Sequence, residues 1–481
     1  MFFWQGKTTQ VTLNIEKYIK IFYNNFMNNP KKRLQKRLYG RLSCLIFLLI
    51  FASCERKSGD LTADITDFIE TIEETVEEII EPEFIPGTYV FKFAPENLNV
   101  YLNDELLFPV SSNAGHYNYL IPNGGTFRFS ADGYEPLEIR AGFLPLKNGI
   151  VGIKLENENG RAKLLSEYET GAWPKSVYFS PDGQRLFVPL LNQHGIDVFK
   201  RLPAGGIEGA ALEFETRLTV PNSTAIGFVE AMCDARRREL WVSNMMENKL
   251  HIYNLDTLEY KTSVSTGGVF PKVVTQSPDG NITVASNWSS RDISVFDSNT
   301  KELIRKIPVG GTPRGMAFSP DSTLLYTAIY DAPLVVVIDM TQNRIIKRFR
   351  LYDGAGAARH IIYRGGKLYV SDMLRGTVNI LDASTGTLLH SARVGLNINT
   401  IILTPDGRYV FASSRGRNHI HDYTKPGPDF GAVYMLSAED LTLVEKIWGR
   451  NQPTGLAVSP DGKYLAFTDF LDANLEWYSL Q

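Results

Sequence analysis

The 481-residue chain is poor in cysteine, with only Cys44, Cys54 and Cys233, which excludes a fold held together by a disulfide framework. It also lacks a strong net charge, because 50 basic side chains nearly balance 53 acidic ones. That balance argues against a dedicated nucleic-acid-binding protein, which would carry a large basic excess. No apolar run in the sequence is long enough to cross a bilayer comfortably.

What the chain does contain favours β structure. Hydrophobic residues make up 43% of it, enough for a globular core, and 39 glycines accompany 22 tyrosines and 27 phenylalanines. Aromatic residues are enriched in strands and glycine in tight turns, so this composition is typical of a turn-rich β protein. The length suits two or three domains.

The charge that is present is concentrated near the N-terminus. Residues 1–53 contain nine lysines and arginines and a single acid, Glu16, whereas residues 55–83 contain eleven acids and two bases. The rest of the chain is close to neutral. The large C-terminal part therefore has no strong field of either sign.

Residues 1–53 have the order of an export signal: a basic stretch, the apolar run 42–52 and then small residues. Residues 51–54 (Phe-Ala-Ser-Cys) resemble a bacterial lipobox, in which the cysteine is acylated and becomes the mature N-terminus. The resemblance implies a lipoprotein of the bacterial cell envelope, anchored to a membrane through Cys54 and facing the periplasm or the cell surface. An uncleaved signal anchor is the alternative, and Met27 is an alternative start.

Acidic residues 54–86 predict a helical tether. Apolar side chains recur there every three or four residues, as on one face of a helix, and Pro82 and Pro86 end the helix. These apolar side chains are Ile65, Phe68, Ile69, Ile72, Val76, Ile79 and Ile80. Such a stripe must pack on another surface, while the adjacent glutamates form a solvated face rather than a metal site.

Residues 87–158 alternate apolar and polar side chains over short runs separated by turn residues, which predicts a small antiparallel β-sandwich. Three motifs occur in the order 100–104 (Val-Tyr-Leu-Asn-Asp), 121–124 (Ile-Pro-Asn-Gly) and 131–134 (Ala-Asp-Gly-Tyr). This order resembles a PEGA-type domain of bacterial surface proteins. The resemblance implies a spacer or adhesive module without a catalytic set.

Residues 161–481 repeat one pattern seven times, a strand that leads into a turn, often Ser-Pro-Asp. The second residues of the seven copies are Lys175, Phe228, Lys272, Arg314, Arg359, Asn399 and Thr454. Intervals of 40 to 55 residues, with several short strands in each, indicate a β-propeller.

The repeats resemble the YVTN family of bacterial seven-bladed propellers, most closely at 241–244 (Trp-Val-Ser-Asn) and 369–372 (Tyr-Val-Ser-Asp). The last repeat has only three strands before Gln481, one too few for its sheet. The segment 164–170 matches an outer strand in position, so we expect it to complete the seventh blade and close the ring. The predicted fold class is all-β, a seven-bladed β-propeller preceded by a small β-sandwich and an N-terminal helical signal and tether.

In such a ring the start of each inner strand lies near the central channel, and four blades place a cation there. The four cations are Lys175, Lys272, Arg314 and Arg359. Their convergence would create a positive potential that favours a carboxylate or phosphate, and His360 and Asn399 are further candidates for ligand binding. The alternative is that the cations contact acids such as Glu230 or face water. In a rim loop, an exposed Trp288 would stack on a ligand or partner, although aromatic residues more often fill the blade core.

Blade 6 carries an insertion, residues 415–428. Its Ser-Arg-Gly at 414–416 resembles a turn of propeller lactonases that open sugar-phosphate lactones, which makes Arg415 and His421 candidate catalytic residues. His419, His421 and Asp422 have donor atoms for a metal, but matching ligands elsewhere in the sequence are missing. We therefore predict neither a metal nor a cofactor.

The sequence thus predicts a membrane-anchored exported lipoprotein whose propeller is a non-enzymatic binding or scaffold module. A protein or a small anionic ligand would bind at the propeller face, and the charge balance argues against nucleic acid. The alternative is a lactonase-like hydrolase acting on an anionic sugar-type ligand, since one propeller fold serves many functions.

Overall fold

The computed structural model describes residues 84–204 and 207–481. All the described residues belong to one compact unit. The predicted signal, the predicted acylation site Cys54 and residues 54–83 of the predicted tether lie outside the described residues. In the part that is described, no helix is both long and apolar enough to span a membrane.

The first described part of the chain is a small domain of nine strands in two sheets. The strands are β1 (Gly87–Ala94), β2 (Asn99–Leu102), β3 (Glu105–Leu107), β4 (Ser111–Asn113), β5 (His116–Ile121), β6 (Thr126–Ser130), β7 (Leu137–Arg140), β8 (Leu146–Lys147) and β9 (Ile150–Lys154). A 3₁₀ turn, Ala141–Phe143, lies between β7 and β8. One sheet has the order β4-β5-β1-β9-β8 and the other has the order β3-β2-β6-β7.

The predicted antiparallel arrangement of this domain is wrong for one pair, β1 and β9, which run parallel. The reason is connectivity, since β9 enters the sheet only after the chain has formed the whole second sheet, and such a long crossover permits parallel pairing. The core between the sheets is aromatic. Phe91 of β1 packs against Phe127 and Phe129, which lie two residues apart on one face of β6.

The rest of the chain forms seven four-stranded antiparallel sheets, the blades. Strand β10 (Ala162–Glu169) comes first along the chain and belongs to the last blade. Blade 1 contains β11 (Tyr178–Phe179), β12 (Arg185–Pro189), β13 (Ile196–Ala204) and β14 (Ile207–Leu218). Blade 2 contains β15 (Phe228–Asp234), β16 (Glu239–Asn244), β17 (Lys249–Asn254) and β18 (Tyr260–Ser265). Blade 3 contains β19 (Pro271–Gln276), β20 (Ile282–Asn287), β21 (Asp292–Asp297) and β22 (Leu303–Pro308).

The remaining blades repeat this plan. Blade 4 contains β23 (Pro313–Phe318), β24 (Leu324–Ile329), β25 (Leu334–Asp339) and β26 (Arg344–Arg350). Blade 5 contains β27 (Ala358–Arg364), β28 (Lys367–Asp372), β29 (Thr377–Asp382) and β30 (Leu388–Arg393). Blade 6 contains β31 (Ile398–Leu403), β32 (Tyr409–Ser414), β33 (Ala432–Ser437) and β34 (Leu443–Trp448). The last three strands are β35 (Pro453–Val458), β36 (Tyr464–Asp469) and β37 (Asn474–Leu480).

Blade 7 joins the two ends of the propeller. Strand β10 pairs antiparallel with β37, from Ala162 opposite Leu480 to Glu169 opposite Asn474. The innermost strand of this sheet, β35, contacts β11 of blade 1, so the ring is closed. The prediction of an all-β fold is confirmed for the described residues, and so is a seven-bladed propeller whose last blade takes its outer strand from the segment near residues 164–170.

The two ends of the propeller are built differently. At one end, Ser-Pro-Asp-Gly turns join the first and second strands; in blade 1, Asp182 accepts a 3.0 Å hydrogen bond from the N–H of Gln184. Gly183 adopts a φ of 70°, a left-handed conformation that favours glycine. We call this end, with its tight turns within each blade, the turn face. The opposite end is the loop face, where second strands finish and inner strands begin.

Two buried lysines join the small domain to the propeller. Lys154, at the end of β9, forms ion pairs with Glu156 at 2.9 Å and with Glu476 of β37. Lys92 of β1 donates a 2.9 Å hydrogen bond to the carbonyl oxygen of Gly427, which belongs to the insertion between β32 and β33. Both contacts reach blades 6 and 7, so the small domain supports one side of the ring.

Candidate functional site

Five cationic side chains meet in the central channel, close to the loop face. Four of them are those predicted from the repeats: Lys175, Lys272, Arg314 and Arg359. The fifth is Arg415, which directly follows β32 and lowers the pKa of both Lys175 and Arg359 through its charge. All except Lys272 are less than a tenth exposed. We call these five residues the cation cluster.

Serine hydroxyl groups fix the backbone from which these side chains project. Ser243, in the second strand of blade 2, donates a 2.6 Å hydrogen bond to the carbonyl oxygen of Lys272 in blade 3. Ser286 of blade 3 donates in the same way to the carbonyl oxygen of Arg314 in blade 4, at 2.9 Å. The inner strands of blades 3 and 4 are therefore each held by the preceding blade, and the repeat itself brings equivalent positions together around the channel.

A second ring of residues lies next to the cation cluster and shares Arg415 with it. In every blade the residue that follows the second strand donates its N–H to the segment just before the inner strand. These residues are Leu191, Met245, Trp288, Tyr330, Met373, Arg415 and Phe470. Because the hydrogen bond is the same in each blade, the seven side chains lie at equivalent places around the mouth of the channel.

Aromatic members of this second ring face the cations. The Nζ of Lys175 lies 4.7 Å from the centroid of the Phe470 ring, and the Nζ of Lys272 lies 5.8 Å from that of Trp288. The guanidinium carbon of Arg359 lies 5.9 Å from the ring of Tyr330, whose centroid is 4.5 Å from that of Trp288. Cation–π contacts of this kind favour a positive charge but do not neutralise it.

Among the residues that the structure describes, a single carboxylate pairs with the cation cluster. Glu230 accepts a 2.6 Å hydrogen bond from Arg314 and a 2.5 Å hydrogen bond from the hydroxyl of Tyr178. Although burial raises the pKa of Glu230, its contact with Arg314 and the hydrogen bond from Tyr178 hold it below the usual value, so the group is ionised. Among the described residues no other carboxylate forms an ion pair with the cluster. The alternative prediction, that the cations contact acids such as Glu230, therefore holds for Arg314 alone.

Burial and mutual repulsion lower the pKa values of four of the cations themselves. Burial, followed by repulsion from Arg314 and Arg359, lowers the pKa of Lys272 to about 7. Burial and the charges of Arg415 and Arg359 lower the pKa of Lys175 well below its ordinary value. Burial likewise lowers the pKa of Arg415 to about 10. The site thus holds more positive charge than its own groups can stabilise.

Several donor atoms in the cluster also have no acceptor. The Nη1 of Arg314 and the Nε of Arg415 are buried without a hydrogen-bond partner. The side chain of Arg359 has only the sulfur of Met373, at 3.7 Å, as a hydrogen-bond acceptor in the described structure. A buried donor without an acceptor costs free energy, and an anion would satisfy several of these donors at once.

The site also contains groups that could accept a proton. Burial is the main cause that lowers the pKa of His360 to about 4, so its imidazole is neutral, and its Nδ1 has no hydrogen-bond partner. Glu230 is ionised and acts on the pKa of His360 through its charge. The site therefore combines anion-binding donors with two potential bases.

The other predicted site residues lie in different environments. Asn399 is buried, and its side-chain amide donates a long, 3.5 Å hydrogen bond to the carbonyl oxygen of Thr454. His421 is exposed on the blade 6 insertion, where its N–H donates to the Nδ1 of His419 at 3.3 Å. No described contact joins His421 to Arg415. In the described residues, no cluster of three His, Cys, Asp or Glu side chains could hold a metal ion.

Sequence reasoning missed two members of this site, Tyr178 and Phe470. It named Arg415 as a candidate catalytic residue of the blade 6 insertion, but did not place it among the channel cations. The sequence could have identified Phe470, because the residues of the second ring occupy one equivalent position after each second strand. Aligning the seven repeats at that position identifies Phe470 as a member of the ring.

Comparison with known proteins agrees with this architecture. A family model described as a seven-bladed beta-propeller lactonase matches residues 335–481. Over 338 residues the chain is 36% identical to Antigen Lp49 of Leptospira interrogans, an alignment that covers 68% of this chain and 71% of that protein. A shorter alignment of 132 residues is 27% identical to the seven-bladed beta-propeller protein Rv1057 of Mycobacterium tuberculosis, and covers 26% of this chain and 34% of that protein. The chain belongs to the lactonase-like family of seven-bladed β-propellers.

Proposed function

We propose that the propeller binds a small, multiply charged anion in its central channel, as the non-enzymatic binding module of a lipoprotein anchored to the bacterial cell envelope. The observation that carries the proposal is the cation cluster, five buried or largely buried cations that share one carboxylate, Glu230. A ligand with two or more carboxylate or phosphate groups could reach several guanidinium groups together, which gives both affinity and orientation.

The free-energy cost of the unpaired buried charges favours binding of an anion in the channel. An unpaired buried charge is expensive, and the protein reduces that expense only by lowering the pKa of Lys175, Lys272 and Arg359. A bound anion would reverse these shifts, so its binding should be accompanied by proton uptake near neutral pH.

Isothermal titration calorimetry of the full-length protein with citrate and with inorganic phosphate tests the proposal. We expect Arg359→Met to weaken binding by roughly a hundredfold, because it removes a buried charge-assisted hydrogen bond. Arg348→Met is the matched control, since Arg348 is exposed on the outer strand β26. The absence of binding to either anion, or equal effects of the two substitutions, would contradict an anion site in the channel.

Anchoring rests on the sequence of residues 51–54. Acylation of Cys54 with two or three chains would hold the protein firmly at a membrane. Metabolic labelling with a radioactive fatty acid should mark the wild-type protein and leave Cys54→Ser unmarked, with Cys233→Ser as the control that keeps its label. Equal labelling of wild type and Cys54→Ser would contradict this anchor.

A lactonase-like hydrolase is the second candidate. The family model described as a lactonase covers Arg359, His360 and Arg415, and the ionised Glu230 lies beside them. A pH-stat assay with phosphorylated sugar lactones distinguishes the two candidates. Turnover that is lost in both Arg415→Met and Glu230→Gln would replace the non-enzymatic proposal, whereas no turnover would leave binding as the function.

A further inference from the structure

The loop face carries exposed apolar side chains, whereas the described part of the turn face carries none outside the outer strands. Six of them are Ile226, Met246, Val269, Leu374, Leu396 and Ile420, with Leu374 65% exposed and Ile420 84% exposed. Among the described residues of the turn face, no large apolar side chain is exposed to a comparable degree. Apart from Tyr423 of the blade 6 insertion, the other exposed apolar side chains of the described propeller lie on its outer strands. This asymmetry marks the loop face as a surface that another molecule covers.

These side chains surround the channel mouth rather than line one side of it. Ile226, Val269 and Leu396 precede the inner strands of blades 2, 3 and 6. Met246 and Leu374 follow the second strands of blades 2 and 5. Each lies one residue beyond a member of the second ring, Met245 or Met373. The apolar rim and the cation cluster therefore share one face of the propeller, with the charge at the centre and the apolar side chains around it.

The blade 6 insertion extends this rim and is held in place from two sides. Gln452 donates a 2.6 Å hydrogen bond to the carbonyl oxygen of Tyr423, and Lys92 of the small domain donates to that of Gly427. The half-exposed Tyr423 is close enough to Arg415 to act on its pKa. The insertion is thus fixed next to the cations, and a partner would meet a preformed surface.

We propose that the loop face is the docking surface for a protein partner, which places a carboxylate at the cation cluster and packs apolar side chains on the surrounding rim. The inference rests on the proposed anion site and adds the class of its ligand. Complementary charge supports it, since the centre of the face has five cations and one carboxylate. The apolar rim would exclude water around that contact and so strengthen it.

The arrangement of the rim favours a protein over a lipid. A lipid tail needs one continuous apolar groove, whereas these side chains come from blades 2, 3, 5 and 6 and encircle the mouth. A protein surface with an acidic side chain or a chain terminus at its centre can contact several blades at once.

Synthetic polymers provide a test before any partner is identified. The first probe is a random copolymer of glutamate and phenylalanine, which presents carboxylates next to apolar side chains in many local sequences. Polyglutamate of the same length presents carboxylates alone, and phosphatidylglycerol vesicles present a lipid surface. Binding of each probe to the full-length protein is measured by biolayer interferometry, and citrate is added as a competitor for the channel.

The variant Leu374→Ser/Ile420→Ser removes apolar contact without disturbing the core, because both side chains are exposed. Leu389→Ser is the matched control, since Leu389 is 43% exposed on the outer strand β30. We expect the copolymer to bind at least roughly tenfold more tightly than polyglutamate, and the double substitution to remove that difference while citrate affinity stays unchanged. Leu389→Ser should have no effect.

Equal affinity for copolymer and polyglutamate, or a copolymer affinity that the double substitution leaves unchanged, would overturn the docking surface. A double substitution that weakens only the attachment to vesicles would also overturn it and assign the face to lipid. In either case, citrate binding that persists in wild type leaves the anion site intact. Loss of citrate binding in wild type would instead remove the proposed function itself.

Discussion

The molecule contains two buried charge clusters with opposite balance. In the channel, five cations share Glu230, and the pKa of Lys175 falls well below its ordinary value. At the contact between the small domain and blade 7, Lys154 is equally buried but lies among the carboxylates of Glu156, Glu167 and Glu476. There the carboxylates overcome the effect of burial and hold the pKa of Lys154 above its ordinary value.

The difference separates a structural cluster from a binding site. In the Lys154 cluster the protein's own carboxylates pair with the lysine, and Arg450 completes it with a 2.9 Å ion pair to Glu167. The Oε1 of Glu476 and the Oδ2 of Asp469 are nevertheless buried there without a hydrogen-bond partner. Burial raises the pKa of both Asp469 and Glu476, so this pair retains a proton rather than two full charges. The channel has no such compensation, which is why we assign a ligand to the channel and a joining role to the Lys154 cluster.

The largest expected effect is at the structural cluster. Lys154→Met should lower the free energy of unfolding by about 3 to 5 kcal/mol, because it leaves buried carboxylates without their cation. Urea unfolding followed by tryptophan fluorescence measures this. Lys163→Met is the control, since the Lys163–Glu135 pair is at the surface and contributes little. A loss of less than about 1 kcal/mol for Lys154→Met would remove the contrast between the two clusters.

A bound anion should stabilise the channel but not the structural cluster. At a citrate concentration a hundred times its dissociation constant, we expect the free energy of unfolding to rise by about 2.7 kcal/mol. Lys154→Met should keep this increment, because its cluster takes no ligand, whereas Arg359→Met should lose it. An increment that survives in Arg359→Met would place the anion outside the channel.

The two clusters should also differ in their response to pH. The pKa of Lys272 is about 7 in the folded protein and near 10.4 in an unfolded chain, so between these values the unfolded chain binds more protons. Stability therefore rises with pH in this window. Between pH 7 and pH 9 we expect the free energy of unfolding to rise by about 2 kcal/mol more in wild type than in Lys272→Met.

Lys92 and Lys446, whose pKa values burial also lowers to about 8, contribute a rise of the same direction to both proteins. The comparison with Lys272→Met removes their contribution. If the free energy of unfolding changes with pH in the same way in wild type and Lys272→Met, burial and repulsion do not lower the pKa of Lys272 as we expect.

The smallest expected effect is on the stability of Arg359→Met, and it tests the contrast between the channel and the Lys154 cluster most directly. Without ligand, Arg359→Met should stabilise the protein slightly, by about 1 kcal/mol, because methionine fills the space without a buried charge. Lys154→Met, the same kind of substitution, should do the opposite. Thermal unfolding in a buffer free of phosphate and citrate measures both, and a clear destabilisation by Arg359→Met would mean that its charge is already satisfied.

The repeat was sufficient to predict the propeller, although not the parallel pairing of β1 and β9 in the small domain. The recurring strand and turn, with Ser-Pro-Asp in four of the seven copies, predicted seven blades, and the count of strands predicted that the segment near residues 164–170 would complete the last one. These features are local because turn chemistry and strand periodicity act over a few residues. The four predicted channel cations followed from the repeat, since equivalent positions in a closed ring must face the same axis.

The sequence alone determined the all-β class of the described chain, the seven blades and the four inner-strand cations, because each follows from a pattern that recurs from one repeat to the next. Only the tertiary structure decided that Arg415 joins those cations, that Glu230 is the one acid among them, and that Lys154 finds its carboxylates in blade 7. These contacts join residues from different blades or from different domains. Whether a buried charge is satisfied depends on the neighbours that folding brings to it, and no local pattern records them.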